Sequence, residues 1–406
     1  MLYRKKKPFT RVFVACLLFI SLALVLAPEA SASKSNSGIP DPPTVSAKSA
    51  VLLEAESGRV ITGKREHVRM PMASTTKIMT ALVAMERVPL DRVVSVSAKA
   101  VGVEGSSVYL FAGEELTMEA LLYAMLLESA NDAAAAIAIE VGGSIDAFAD
   151  LMNEKAKELG LADTNFKNPH GLGDEDHYTT AYDLAVIAAE ALKNVTFRRI
   201  VSTYKKAIPM QSTGGVRLLI NHNKMLRLYD GAIGVKTGFT KQSGRCLVSA
   251  AERDGVMLVA VTLSAPDDWN DHTQLLDYGF SLYERINLTT AGGFRADVSV
   301  VGGTRPKVSV TNRASLSVSL PKNHESITTR VELPRFLFGR VEKNQPVGRL
   351  IFLSDLDGDG VAEEIGSCEL VTTAASDKAE YPSFFVRLFR SIAEFFRGLL
   401  EKSNED

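Results

Sequence analysis

The chain is 406 residues long, 46% of them apolar, with 46 Lys and Arg against 48 Asp and Glu. That length and core capacity argue for two globular domains rather than a disordered chain. The near-neutral balance, without a basic cluster beyond the N-terminus, excludes a nucleic-acid grip.

The first 32 residues read as a secretory signal peptide. Arg4, Lys5, Lys6, Lys7 and Arg11 precede an apolar run from Val12 to Ala27, and Ala30-Ser31-Ala32 forms a small-x-small cleavage site. The run is short for a membrane span, which sets cleavage after Ala32 above retention as an anchor. The leader carries five of the 46 cationic residues and one of the 48 acids, so its removal leaves a net charge of −6. Cys16 departs with it. Cys246 and Cys368 are expected to be buried thiols rather than a disulfide, because they fall in separate domains.

Residues 33–44 are a polar, Pro-rich leader. Residues 50–64, AVLLEAESGRVITGK, predict a hairpin turning at Glu56-Ser57-Gly58. A helix is predicted from Ser74, apolar on more than one face, as befits a core helix. Thr117 can cap a helix through Glu128, and Asp132 can cap the next to Gly142. Between them lies a tight break, Ser129-Ala130-Asn131. Helical spacing returns over 145–160 and 180–194. Strands follow at 234–238, 245–251 and 256–263, then a helix from His272 to Tyr283. Strands, helices, then strands again predict an α+β domain over 45–287 whose antiparallel sheet joins distant segments. Residues 288–372 alternate Val, Thr and Ser between Gly and Pro turns, predicting a small all-β domain. The remainder, 373–406, is a linker and an amphipathic helix. Phe385, Leu388, Phe389, Ile392, Phe396 and Leu399 share one face, and the arginines face the other, a pattern suited to the membrane surface.

The chemistry begins with Ser74 and Lys77. Three residues apart, they are neighbours on a helix surface. A hydroxyl needs a base to become a nucleophile. A lysine in a buried helix is desolvated, which favours the neutral amine. The helix N-terminus adds N–H groups for a developing oxyanion. Alone, Ser-x-x-Lys is a chance match, with a capping serine and a solvated lysine. Two further fragments alter that. In Ser129-Ala130-Asn131 a serine can relay a proton and an asparagine can hold a substrate amide. In Lys236-Thr237-Gly238 the lysine brings positive charge, the threonine a hydroxyl for a carboxylate, and the glycine room for a substrate backbone.

Together, in this order, the three resemble the Ser-x-x-Lys, Ser-x-Asn and Lys-Thr-Gly set of the penicillin-recognising serine enzymes. NPHGL (168–172), HYTTAYDLA (177–185), NHNKML (221–226), GVKTGFTKQSGRCLVSAA (234–251) and LLDYGF (275–280) narrow the resemblance to the low-molecular-mass D-alanyl-D-alanine carboxypeptidases. It implies a β-lactamase/transpeptidase-like catalytic domain without a cofactor. It also implies a substrate, the peptidoglycan stem peptide ending in D-Ala-D-Ala, and acylation by β-lactams. By motif, Ser74 would be nucleophile and Lys77 its base. Ser129 and Lys236 would pass a proton to the departing D-alanine, and Asn131 would position the acyl chain. The N–H groups of Ser74 and Phe239 would form the oxyanion hole, and Thr237 would bind the carboxylate beside Gly238. Such an enzyme acts outside the cytoplasm, on the outer face of the cytoplasmic membrane.

Two positions depart from the pattern: Ile233 stands where many relatives carry aspartate, and His222 where some carry arginine. A class A β-lactamase shares the three fragments but needs Glu-x-x-x-Asn, and Glu175 is followed four residues on by Thr179. A catalytically silent wall-binding relative is the other alternative. His170, Asp174, Asp176 and His177 match no strong zinc spacing. Asp355-x-Asp357-x-Asp359-Gly360 opens like an EF-hand, yet its twelfth position is Gly366, so a solvated turn is favoured over calcium binding.

Overall fold

A computed structural model describes residues 40–210, 214–380 and 384–402. The signal peptide and most of the polar leader lie outside the described residues.

The first strands among the described residues form a hairpin, β1 (Ser49–Glu54) and β2 (Val60–Lys64). A 3₁₀ turn, Ala73–Thr76, leads into α1 (Lys77–Arg87). The small ribbon β3 (Val93–Ser95) and β4 (Glu115–Thr117) precedes five helices. These are α2 (Met118–Leu127), α3 (Asn131–Gly142), α4 (Ile145–Glu158), α5 (Ala181–Leu192) and α6 (Val195–Ser202). A hairpin, β5 (Lys205–Met210) and β6 (Gly215–Ile220), and the one-turn helix α7 (Met225–Leu228) come next. Strands β7 (Ala232–Thr240), β8 (Gly244–Arg253) and β9 (Val256–Leu263) and helix α8 (Asp268–Leu282) complete the domain.

The central sheet runs β2-β1-β9-β8-β7 and every pairing is antiparallel, so the first strand lies beside the last. β1 is buried on both faces, which explains its unbroken apolar reading. Val51 and Leu53 pack into the main core with α1–α6, whereas Ala50 and Leu52 pack against α8. The same alternation splits β9: Val259, Val261 and Leu263 face one core, Leu258 and Ala260 the other.

Several predicted boundaries shift. Asp132 is not the cap of α3, whose N-cap is Ala130 without a side-chain bond. Its carboxylate accepts from Ser107 Oγ (2.6 Å) and Leu110 N (3.0 Å), tying the 105–110 loop to the helix start. Helix α8 starts at Asp268, four residues before His272, with Asp268 and Asp271 in its first turn. The β5–β6 hairpin is an element that the periodicity does not suggest.

The C-terminal region begins earlier than 288, because β10 (Tyr283–Thr289) pairs with β13 (Leu316–Pro321). Between them lie β11 (Arg295–Val301) and β12 (Lys307–Asn312). Then follow β14 (Thr328–Glu332), β15 (Phe336–Phe338), β16 (Pro346–Ser354) and β17 (Glu363–Thr372). The larger sheet runs β14-β16-β17-β12-β11-β15. Asp355, in the β16–β17 connection, spends its carboxylate on its own turn, accepting from Gly358 N (2.7 Å) and Gly360 N (2.6 Å). Cys246 and Cys368 are buried free thiols.

Helix α9 spans Phe384–Lys402, and Leu388, Phe389 and Ile392 on it are exposed. No helix among the described residues is long and apolar enough to cross a membrane.

Candidate active site

The 3₁₀ turn before α1 is the floor of a cleft of about 350 Å³, lined by Ser74, Ser129, Thr237, Gly238 and Phe239 among others. Lys77, Asn131 and Lys236 are buried behind that wall. The eight residues singled out by the sequence therefore meet at one place, drawn from the 3₁₀ turn and α1, the α2–α3 break with the first residue of α3, and β7.

Lys77 is fully buried. Its Nζ lies 2.9 Å from Ser74 Oγ, 2.7 Å from Asn131 Oδ1 and 3.0 Å from the His170 carbonyl. Burial, reinforced by the positive charge of Lys236, holds its pKa well below the usual lysine value. Lys236, also buried, is brought down to about 7 by desolvation, and its Nζ donates to Thr237 O at 2.9 Å. Asn131 Nδ2 donates to Glu104 O (2.6 Å), which fixes the amide so that its oxygen faces Lys77.

The nucleophile's turn is held from beneath by the NPHGL loop. Ala73 adopts a left-handed conformation, φ 48°, that costs energy for a residue with a Cβ. Three bonds hold its surroundings. Lys167 N donates to His177 Nδ1 (3.0 Å), leaving the ring's proton on Nε2. That nitrogen donates to Thr76 Oγ1 (2.8 Å), which donates to Ala73 O (2.8 Å). The relay needs a neutral ring, and burial supplies one by lowering His177 to about 4. Gly171, φ 88°, lies so close that a Cβ there would sit 1.9 Å from Ala73 O. Gly238 has a similar role from above: a Cβ would meet Ser74 N at 3.0 Å and Met72 O at 3.1 Å. The His177 ring thus serves as a structural support of the nucleophile's turn.

Ser129 has φ 61°, turning the chain between α2 and α3 so that Ser129 reaches the cleft while Asn131 starts the next helix. The two departures also find their places. Ile233 is buried in the main core. His222 lines the cleft, its Nε2 3.1 Å from Glu128 Oε2.

The sequence missed Ser106, Lys224, Arg245, Asp268 and Trp269 on the cleft wall. Arg245 donates to Asp268 Oδ1 (2.7 Å), and its guanidinium lies 5.6 Å from the Trp269 ring centre. Its position could have been read from the β7–β8 register, which sets Arg245 opposite Phe239.

A family model described as peptidase S11, D-alanyl-D-alanine carboxypeptidase, matches residues 36–267. The chain belongs to that family. It is a serine-type peptidase. A D-alanyl-D-alanine carboxypeptidase of Bacillus subtilis, DacF, is 33% identical over 359 residues, covering 86% of this chain and 90% of that protein. Penicillin-binding protein 5 from Haemophilus influenzae superposes with a TM-score of 0.65 at 26% identity, covering 84% of this chain and all of the other. The Streptomyces K15 DD-transpeptidase reaches a TM-score of 0.57 at 34% identity over 60% of this chain and all of its own.

Proposed function

We propose that the enzyme removes the terminal D-alanine from peptidoglycan stem pentapeptides through an acyl-enzyme on Ser74, and that β-lactams acylate the same serine. The observation that carries this reading is the set of partners around Lys77 Nζ. A neutral amine has two N–H groups and one lone pair. Asn131 Oδ1 and the His170 carbonyl are both pure acceptors and take the two N–H groups. The lone pair is left for the third neighbour, the Ser74 hydroxyl, 2.9 Å away. Ser74 therefore donates to Lys77, the arrangement a general base requires.

On attack, the Ser74 proton passes to Lys77 and the carbonyl oxygen becomes an oxyanion, for which the N–H groups of Ser74 and Phe239 are suited. Collapse expels D-alanine, whose nitrogen needs a proton. Ser129 and Lys236, the latter poised near neutrality, supply that route. Asn131 holds the acyl amide. Thr237 and Arg245 receive the substrate's terminal carboxylate, Gly238 admitting its backbone. Water then hydrolyses the ester.

A β-lactamase reading finds less support. Glu175 is exposed on its loop, and the carboxylate on the cleft wall is Asp268, engaged by Arg245. We also propose export across the cytoplasmic membrane, with α9 lying on its outer face.

Incubating pentapeptide with the wild type should release D-alanine and yield tetrapeptide by mass spectrometry. Ser74→Ala should release none and should not gain the mass of benzylpenicillin. Full release by Ser74→Ala would end this reading. Rapid nitrocefin turnover without a lasting adduct would favour the lactamase.

A further inference from the structure

We infer that the cleft selects stem peptides whose residue next to the D-Ala-D-Ala unit carries a free side-chain carboxylate, as diaminopimelate does, over those carrying only an amine, as lysine does. This rests on the carboxypeptidase reading and concerns the same cleft. The inference comes from how the NHNK segment, residues 221–224, is built. Asn221 and Asn223 are buried, and His222 and Lys224 alternate with them onto the cleft wall. Asn221 Nδ2 donates to Val201 O (2.9 Å) and Thr203 O (3.2 Å), while its Oδ1 accepts from Asn223 N (2.9 Å). Asn223 Oδ1 accepts from Met225 N (3.0 Å). Alternate residues are pinned inside, so the outward pair is presented from a fixed backbone.

The charges around the cleft are unequal. Arg245 is paired with Asp268, and His222 sits against Glu128. Lys224 has no carboxylate partner among the described residues, and Asp268 is the acid on the wall. A terminal carboxylate held at Thr237 would share Arg245 with Asp268, so Lys224 would still lack a direct partner. A second carboxylate on the ligand would give Lys224 that partner, whereas a side-chain ammonium without the carboxylate would meet a like charge. The nearest residue able to bring that carboxylate is the one preceding the D-Ala-D-Ala unit.

The test uses N-acylated X-D-Ala-D-Ala tripeptides with X as diaminopimelate, its side-chain carboxamide, or lysine, and reads D-alanine release by the full chain. The carboxamide keeps the size and removes the charge. The wild type should prefer diacid over carboxamide by about three- to fivefold in kcat/KM, the scale of one exposed ion pair. The difference should lie in KM and shrink with added salt. Lys224→Ala should bring the ratio toward one, and Lys224→Glu should invert it. A wild-type ratio of one, or a ratio that Lys224→Glu leaves unchanged, overturns the inference. Absence of release from all three peptides would instead overturn the carboxypeptidase reading on which it stands.

Discussion

At the scale of single residues, the site depends on a lysine whose pKa burial holds well below the usual lysine value. Lys77 accepts a proton only as the neutral amine, and its pKa lies well below that of a free lysine. Acylation by a chromogenic β-lactam should therefore rise with pH as Lys77 deprotonates, and level off well short of 10.5. Lys77→Arg, which stays charged, should lose about 10²–10⁴ in rate and show no such limb. Stopped-flow rates across the pH range check both. An unchanged limb in Lys77→Arg would assign it to another group. Residues of this kind were legible in the sequence because each fragment demands particular chemistry: a hydroxyl, an amine, an amide. Arg245 and Lys224 were not, since an arginine in a strand and a lysine in a loop look like ordinary solvated groups until the hairpin register and the anchored asparagines aim them into the cleft.

At the scale of elements, buried apolar strands and capped helices were readable, and errors arose where tertiary partners claimed a local signal. Asp132 looks like a cap, but backbone N–H groups of a distant loop use its carboxylate. The β5–β6 hairpin escaped because its exposed face carries Val216 and Leu218, which blurs the inside–outside alternation. Its position is fixed by a buried ion pair: the Arg217 guanidinium meets both carboxylate oxygens of Glu114, and its Nε donates to Val108 O at 2.9 Å. Both partners are nearly inaccessible to water. Removing one leaves the other charge buried alone, so Arg217→Met should cost about 3–5 kcal/mol in a urea melt. The double variant Arg217→Met, Glu114→Gln should recover part of that loss. A double-variant loss equal to the sum of the Arg217→Met and Glu114→Gln losses would mean that the pair is not coupled.

At the scale of the whole molecule, an α+β enzyme domain and an all-β region were both evident, though their border was set a few residues late, because the first strand of the second region, β10, follows α8 directly. The proposed surface attachment belongs here too. With Leu388, Phe389 and Ile392 exposed on α9, the full chain should float with anionic liposomes, and a version ending at residue 380 should stay in the soluble fraction. Flotation of both would move the lipid contact elsewhere.

The direct join at Leu282 and Tyr283 leaves no residue free to serve as a swivel. Arg59 bridges to Asp357 and Glu363, and Arg285 to Glu56, adding struts across the same seam. Under the proposed attachment of α9 to lipid, an enzyme so braced would work at a set height, and the stem peptides within its reach would be those in one layer of the wall rather than throughout its depth.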